Sequence, residues 1–283
     1  MGIRSFFHKI KMGFVRCRES SIPFVSEKKW YGNVGEDTFA YLISRALPTC
    51  RIKQNVIIET PDGNAEIDCL ILYQNKLFAV EVKRWKGRLF ETDEGFIQEK
   101  IDRWTGEARV KPLRSPFKQL NRAVYLLKKQ IPSAVWVNPI VFFEDDEFES
   151  VETLSDNVWF CDRDMLVKYI QNDGRQSTTY NAEQFFDKCV SADYLSAKSW
   201  NKSLRCVIED NSLIFPTPFG EINRKNILNI CIAHHWAYDE LDVTLKDGSV
   251  CRITQDNAKI RVRENGKICE YALCKLDYIE LGQ

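Results

Sequence analysis

No run in this 283-residue chain approaches the roughly 18 consecutive apolar residues of a membrane-spanning helix. Nor does the amino terminus carry an uninterrupted apolar core of the signal-peptide kind, so the protein is expected to stay in the cytosol. There is no excess of either charge, with 40 Lys and Arg against 40 Asp and Glu, which argues against a generic polycationic tail. None of the ten cysteines forms a Cys-x-x-Cys pair, so neither a zinc ribbon nor a thioredoxin-type redox centre is supported. Cys69, Cys231 and Cys251 lie in apolar runs and read as small buried hydrophobes of a reducing compartment. Only three histidines occur. His234-His235 sits in an apolar stretch that reads as helical, a setting for structural imidazoles rather than catalytic or metal-binding ones. Repeats, low-complexity tracts and long linkers are also missing. What remains is a globular composition, 44% hydrophobic and 12% aromatic, enough for one large core or two ordinary ones.

The most informative stretch runs from Ala65 to Trp85. Ala65–Tyr73 and Lys76–Trp85 are rich in β-branched and aromatic residues and meet at Gln74-Asn75, the pattern of an antiparallel hairpin. With those two residues as the loop, paired positions sum to 149 and Asp68 lies opposite Glu81. With Asn75-Lys76 as the loop the sum is 151 and Asp68 opposes Lys83. Either register leaves Asp68, Glu81 and Lys83 on one face, because side chains alternate along a strand. The other face, with Phe78, Val80 and Val82, is apolar. Two carboxylates so close repel each other unless a divalent cation or an ammonium lies between them. The plainer alternative is a cross-strand ion pair on a solvated face.

A third carboxylate bears on that choice. Gly35–Leu47 carries apolar residues at 39, 40, 43 and 47, the stripe of an amphipathic helix, and projecting it back one turn reaches Glu36. In the first turn Glu36 could simply compensate the helix dipole; on the buried stripe it is a candidate third acidic ligand. Ala79-Val-Glu-Val-Lys83 also looks like the strand that carries the phosphate-binding lysine of protein kinases. No glycine-rich loop precedes it, and neither His-Arg-Asp nor Asp-Phe-Gly follows, so that reading is set aside.

Further along, Asn55–Thr60 reads as a strand and Pro61–Asn64 as a turn. Gly87–Thr92 and Phe96–Ile101 flank Asp93-Glu-Gly95 as a hairpin, and Ser115-Pro116 caps and starts a helix with apolar residues at 117, 120, 124 and 127. Val135–Phe143 and Asn157–Cys161 read as strands, followed by a helix near Asp164–Gln171. This order suits an α/β domain with a mixed central sheet flanked by helices. Past about residue 200, Leu241–Ile253 with Asp247-Gly248 and Lys259–Cys269 with Asn265-Gly266 read as tight hairpins, a smaller β-rich carboxy-terminal module.

From about Gly32 to about Ile170 the chain resembles the nuclease-related domain (NERD) family of the PD-(D/E)xK, restriction-endonuclease-like superfamily. The resemblance rests on Gly35-Glu36, Glu66-Ile67-Asp68, Phe78-Ala-Val-Glu-Val-Lys83 with Trp85-Lys-Gly87, and Ser115-Pro-Phe-Lys-Gln119. Ile67 stands where the superfamily's name has proline. The resemblance implies a restriction-endonuclease-like core in which Asp68 and Glu81 bind metal, Lys83 assists the attacking water, Gln119 lies at the edge of the site, and Glu36 is an additional acidic member. The metal it implies is Mg2+ or Mn2+. The chemistry fits these residue types: phosphodiester hydrolysis needs charge neutralisation and a hydroxide near pH 7, and Mg2+ takes hard carboxylate oxygens while keeping several waters.

Charge along the chain adds a substrate argument. Residues 83–129 hold thirteen basic and six acidic side chains, and residues 144–193 hold four basic and thirteen acidic. Within the basic stretch Arg84, Lys86, Arg88, Arg114, Lys118 and Arg122 are candidate phosphate contacts; the alternative is a solvated face. The expected organisation is a basic amphipathic segment over 1–31, a nuclease domain over 32–172, a helical connector over 173–202 and the β-rich module over 203–283, a candidate surface for a protein partner. The leading function is a metal-dependent DNA endonuclease or nickase, in defence against foreign DNA or in DNA processing. The other is a nucleic-acid-binding or assembly protein that keeps the fold and cleaves little.

Overall fold

The computed structural model describes residues 27–102, 104–131, 135–144, 148–177, 182–197, 199–200, 203–217, 220–235, 238–256, 258–264 and 266–282, with side chains from residue 35 onward. The basic segment expected over 1–31 falls almost wholly outside them, as does Asn265. Two compact units divide the described chain at Val190 and Ser191.

The first unit begins with α1 (Glu27–Ala46), which starts earlier than the expected Gly35. Gly35 and Glu36 are therefore mid-helix, so terminal dipole compensation does not account for Glu36. The expected stripe is nonetheless the packed face, with Phe39, Ala40, Ile43 and Leu47 all buried. Three strands follow as an antiparallel meander, β1 (Arg51–Thr60), β2 (Gly63–Tyr73) and β3 (Lys76–Lys83). Gln74 and Asn75 both take positive φ, 47° and 62°, the geometry of a two-residue type I′ turn. That turn sets the register: Tyr73 pairs with Lys76 and Cys69 with Val80, so the sum is 149. Asn75 is held in place by accepting from the Ala182 N–H at 2.7 Å and donating to the Ser177 carbonyl.

Next come β4 (Gly87–Glu91), β5 (Phe96–Ile101), β6 (Ala108–Leu113), α2 (Pro116–Lys128), β7 (Val137–Phe143), β8 (Phe148–Glu152) and β9 (Trp159–Phe160). The crossover through α2 brings β7 parallel to β3, pairing Glu81 with Val141 and Lys83 with Phe143. The main sheet runs β1-β2-β3-β7-β9. A second sheet of four strands runs β6-β5-β4-β8; β6 and β8 are strands that hydrophobic periodicity does not announce. Ser115 caps α2, its hydroxyl accepting from the Lys118 N–H at 3.2 Å, and Pro116 opens it. The helix buries Phe117, Leu120, Val124 and Leu127.

Both faces of β3 are buried: Leu77 and Ala79 pack in the layer of α2, while Phe78, Val80 and Val82 pack with Phe39 and Ile43 of α1. A central strand covered by helices on both sides is apolar on both faces, so the charged residues are confined to its last positions. The unit closes with α3 (Arg163–Lys168), a π turn over Tyr169–Asp173, and α4 (Ala182–Lys188). Within the stretch 173–202, expected as a helical connector, α4 is followed by the strands β10 (Val190–Ser191) and β11 (Asp193–Ser196).

The second unit is built from strands. It adds β12 (Leu204–Ile208), β13 (Ile214–Thr217), β14 (Gly220–Asn223), β15 (Ile227–His234), β16 (Asp239–Leu245), β17 (Val250–Gln255), β18 (Lys259–Glu264), β19 (Lys267–Ala272) and β20 (Tyr278–Glu280). Its eight-stranded sheet has the order β17-β16-β15-β20-β11-β12-β18-β19, beside the hairpin β13-β14. The hairpins expected at Asp247-Gly248 and around Gly266 are β16-β17 and β18-β19. The apolar run before His234, expected as helix, is the strand β15. Its β-branched Ile227, Ile230 and Ile232 are all buried, and short apolar runs do not separate strand from helix by periodicity. A buried carboxylate ties this unit together: Asp193 pairs bidentately with Arg224 and accepts from the N–H groups of Ile208 at 2.7 Å and Gly282 at 2.8 Å. All nine described cysteines are free. Cys69 is buried as expected, whereas Cys231 and Cys251 are only half-buried.

Candidate active site

The described ladder between β2 and β3 ends at Cys69 and Val80, and the next position is where the polar groups gather. The Asp68 carboxylate accepts from the Val82 N–H at 2.9 Å, which turns its side chain onto β3. The Lys83 ammonium pairs with Glu81 and lies 3.8 Å from Asp68 Oδ2. Asp68, Glu81 and Lys83 thus come together, as both sequence registers require. Glu81 has no exposed surface, and its second oxygen, Oε2, is buried with no hydrogen-bond partner.

Electrostatics join Glu36 to the same group. Burial, then the neighbouring Asp68 and Glu81 charges, push the Glu36 carboxyl up to about 8 against the pull of Lys83. Burial and Asp68 likewise raise Glu81 to about 7, with Lys83 opposing. Asp68 is also raised by burial, opposed by Lys83 and the Val82 N–H. For Lys83 burial favours the neutral amine, but the charges of Asp68 and Glu81 outweigh it and hold the ammonium above the ordinary lysine value. The site therefore has more carboxylate than its one lysine neutralises. Carboxylates held in excess, one with an orphaned buried oxygen, match what a hard divalent cation binds. Among the described residues no three His, Cys, Asp or Glu side chains are already spaced as a finished metal cage; the position between Glu81 and Asp68 is taken by the ammonium.

Gly35 has a structural reason. A Cβ there would meet the Arg84 side chain at 2.4 Å from Cδ, so the arginine crosses α1 one residue before Glu36. Arg84 follows Lys83 directly, and this close passage keys the end of β3 to the helix that carries the third carboxylate.

Residues 31–144 match the family model of the nuclease-related domain. No curated protein and no solved structure matches the chain. The matched range includes the positions of Glu36, Asp68, Glu81, Lys83 and Gln119.

Other residues of the matched stretch are less tightly gathered. Gln119 is exposed on the first turn of α2, its N–H bonded to the Ser115 carbonyl, and its side chain makes no hydrogen bond to Asp68, Glu81 or Lys83. Of the six basic candidates, Arg88 is drawn to Glu149 at 3.2 Å and Glu99 at 3.8 Å. Lys118 donates to the Asp93 carbonyl, and the Arg122 guanidinium lies against Gly63. Arg114 is exposed and Lys86 half-buried. The packing role of Arg84 is one that sequence reasoning missed, having placed it only among phosphate contacts; the signal for it was the glycine in Gly35-Glu36. No helix among the described residues is long and apolar enough to cross a membrane.

Proposed function

We propose that the nuclease-related domain is a metal-dependent nuclease that hydrolyses phosphodiester bonds of DNA, built on a restriction-endonuclease-like core. The observation that carries this reading is the cluster at the end of β3: buried Glu81 with an unpartnered oxygen, Asp68 turned towards it, and Lys83 between them. Glu81, Asp68 and Glu36 would hold Mg2+ or Mn2+, which when bound supplies Lewis acidity and a water of lowered pKa. The chain's own residues do the rest. Asp68 is oriented by the Val82 N–H, so its free oxygen has one preferred direction. Lys83 offers N–H donors to an attacking water or to a phosphate oxygen, and its charge offsets the negative charge that develops on the phosphorane. The nearby basic residues, Arg114 foremost because it is exposed and makes no ion pair among the described residues, supply phosphate affinity. The protein works in the cytosol on foreign or processed DNA under this reading.

A second reading has one observation in its favour. Lys83 already closes the charge between Glu81 and Asp68, as a structural ion pair would in a nucleic-acid-binding protein that cleaves little. Incubating the protein with supercoiled plasmid, linear duplex, and single-stranded DNA and RNA in Mg2+, Mn2+ or EDTA separates the two. Nicked or linear plasmid in metal but not in EDTA supports the nuclease. Binding without cleavage in every metal supports the second reading.

A further inference from the structure

The hairpin β5-β6 leaves large apolar side chains in water. Trp104 near its tip is 97% exposed, and Val110 and Ile101 are 63% and 49% exposed. An indole left in water forgoes the burial of one of the largest apolar side chains, so its position calls for a partner. Hydrogen bonds tie the described residues around it together. Asp102 accepts through its carboxylate from the Trp104 and Thr105 N–H groups at 2.9 and 3.2 Å and pairs with Arg109 at 2.9 Å. The Asp102 N–H donates to the Glu107 carbonyl, and the Gly106 N–H donates to the Asp102 carbonyl.

The strands behind the tip point to the partner's chemistry. Lys100 and Arg109 are direct cross-strand partners, and Gln98 and Lys111 are the next such pair on the same face. Like charges directly opposed across an antiparallel pair are unfavourable; Asp102 offsets the Arg109 charge, and an anion beside Lys100 and Lys111 offsets the rest. Lys100 and Lys111 are exposed and make no ion pair or hydrogen bond among the described residues. The hairpin is also fixed relative to the candidate site. Gly87, four residues after Lys83, lies so close to β5 that a Cβ would meet the Glu99 carbonyl at 2.2 Å. An aromatic at the tip, cations a few residues behind it and a rigid link to the carboxylates together form the pattern of a single-strand binding element. Bases stack on the ring and phosphates lie against the cations.

We propose that β5-β6 is a nucleic-acid arm: Trp104 stacks on an unpaired base, and Lys100 and Lys111 hold the flanking phosphates. This rests on the nuclease reading and deepens it, since an arm that captures unpaired bases directs cleavage to single-stranded or locally opened DNA.

The test measures binding of a labelled single-stranded oligonucleotide and its duplex by fluorescence anisotropy in EDTA, over a series of salt concentrations, beside plasmid cleavage in Mg2+. Trp104→Ala should weaken single-strand binding about 5- to 150-fold, Trp104→Phe should keep most of it, and the duplex should respond less. The double variant Lys100→Ala/Lys111→Ala should reduce the log-log salt slope by about 0.7 for each lost contact on single strands. Thermal midpoints should stay at the wild-type value, because all three side chains are exposed. Unchanged single-strand affinity in Trp104→Ala overturns the arm; if wild type and variant still cleave plasmid, the nuclease reading stands without it. Trp104-dependent binding with no cleavage in any metal keeps the arm and removes the nuclease. Absence of both binding and cleavage removes both. Vesicles of neutral and anionic phospholipid complete the set: Trp104-dependent vesicle binding with nucleic-acid binding unaffected would also overturn the arm, assigning it to a membrane surface.

Discussion

Lys83 does at close range what a metal ion would do, and this determines how the site should respond to substitution. Asp68→Ala, Glu81→Ala and Lys83→Ala should each lower plasmid cleavage by orders of magnitude, since each removes a candidate metal ligand or a charge-stabilising group. Full cleavage by a folded Lys83→Ala protein would end the assignment. The three differ in stability. Lys83→Ala leaves Glu81 buried without its counter-charge, a loss that protonation of Glu81 limits at low pH and not at high pH. Glu36 and Glu81 also set a pH dependence. Their folded values, about 8 and about 7, lie above the unfolded value of 4.5, so the folded state binds more protons between these limits. Their contribution is full below about pH 4.5 and is lost as pH rises through 7 and 8. In EDTA the thermal midpoint should therefore fall over that window. Glu36→Gln should flatten the fall, and Mg2+ should raise the midpoint most at pH 8. A midpoint at pH 8 indifferent to Mg2+ and Mn2+ would count against carboxylate ligation.

At the scale of the element, the turn at Gln74-Asn75 offers a paired prediction. Both residues have positive φ, which costs a side chain and suits glycine. Gln74→Gly should raise stability by up to about 1 kcal/mol. Asn75→Gly relieves the same strain but loses the bonds to Ala182 and Ser177, so it should lower the thermal midpoint; the opposite order in calorimetry would refute the turn argument. The β2-β3 pairing was legible in advance because the turn residues and the β-branched runs agree on it. The stripe of α1 was legible too, through Phe39, Ala40 and Ile43, although its start was not, since residues 27–34 carry no apolar period. Strand β6 was hidden for a different reason: five of its six residues are exposed, so no burial pattern marks it. Strand β15 reads as helix in the sequence because a short apolar run does not separate the two by periodicity. In the site, the meeting of Asp68, Glu81 and Lys83 followed from register alone. The passage of Arg84 over Gly35 needed three dimensions.

The whole molecule divides into units with separate cores, and each should fail separately. Asp193→Ala leaves Arg224 buried without its carboxylate and frees the Ile208 and Gly282 N–H groups. It should cost the second unit about 3–5 kcal/mol while cleavage by the first unit persists. Loss of cleavage together with the second unit's melting transition would show that the cores are interdependent. His234 gives that unit its own pH signature. Its hydrogen bond to Asp239, helped by the charges of Asp239 and Asp277 and opposed by burial, raises its pKa above 6.5. The stabilisation is full below pH 6.5 and disappears as pH rises through the folded value; His234→Gln should remove that slope.

The two-residue length of the β2-β3 turn also bears on how such a chain diverges. A single inserted or deleted residue at 74–75 shifts the pairing by one, and because side chains alternate, Asp68 would then face away from Glu81. Descendants of this sequence can lengthen the connection after β7 or the tip of β5-β6 without disturbing the carboxylates. Across related chains, then, gaps should collect at those loops, and the spacing from Asp68 to Lys83 should stay at fifteen residues.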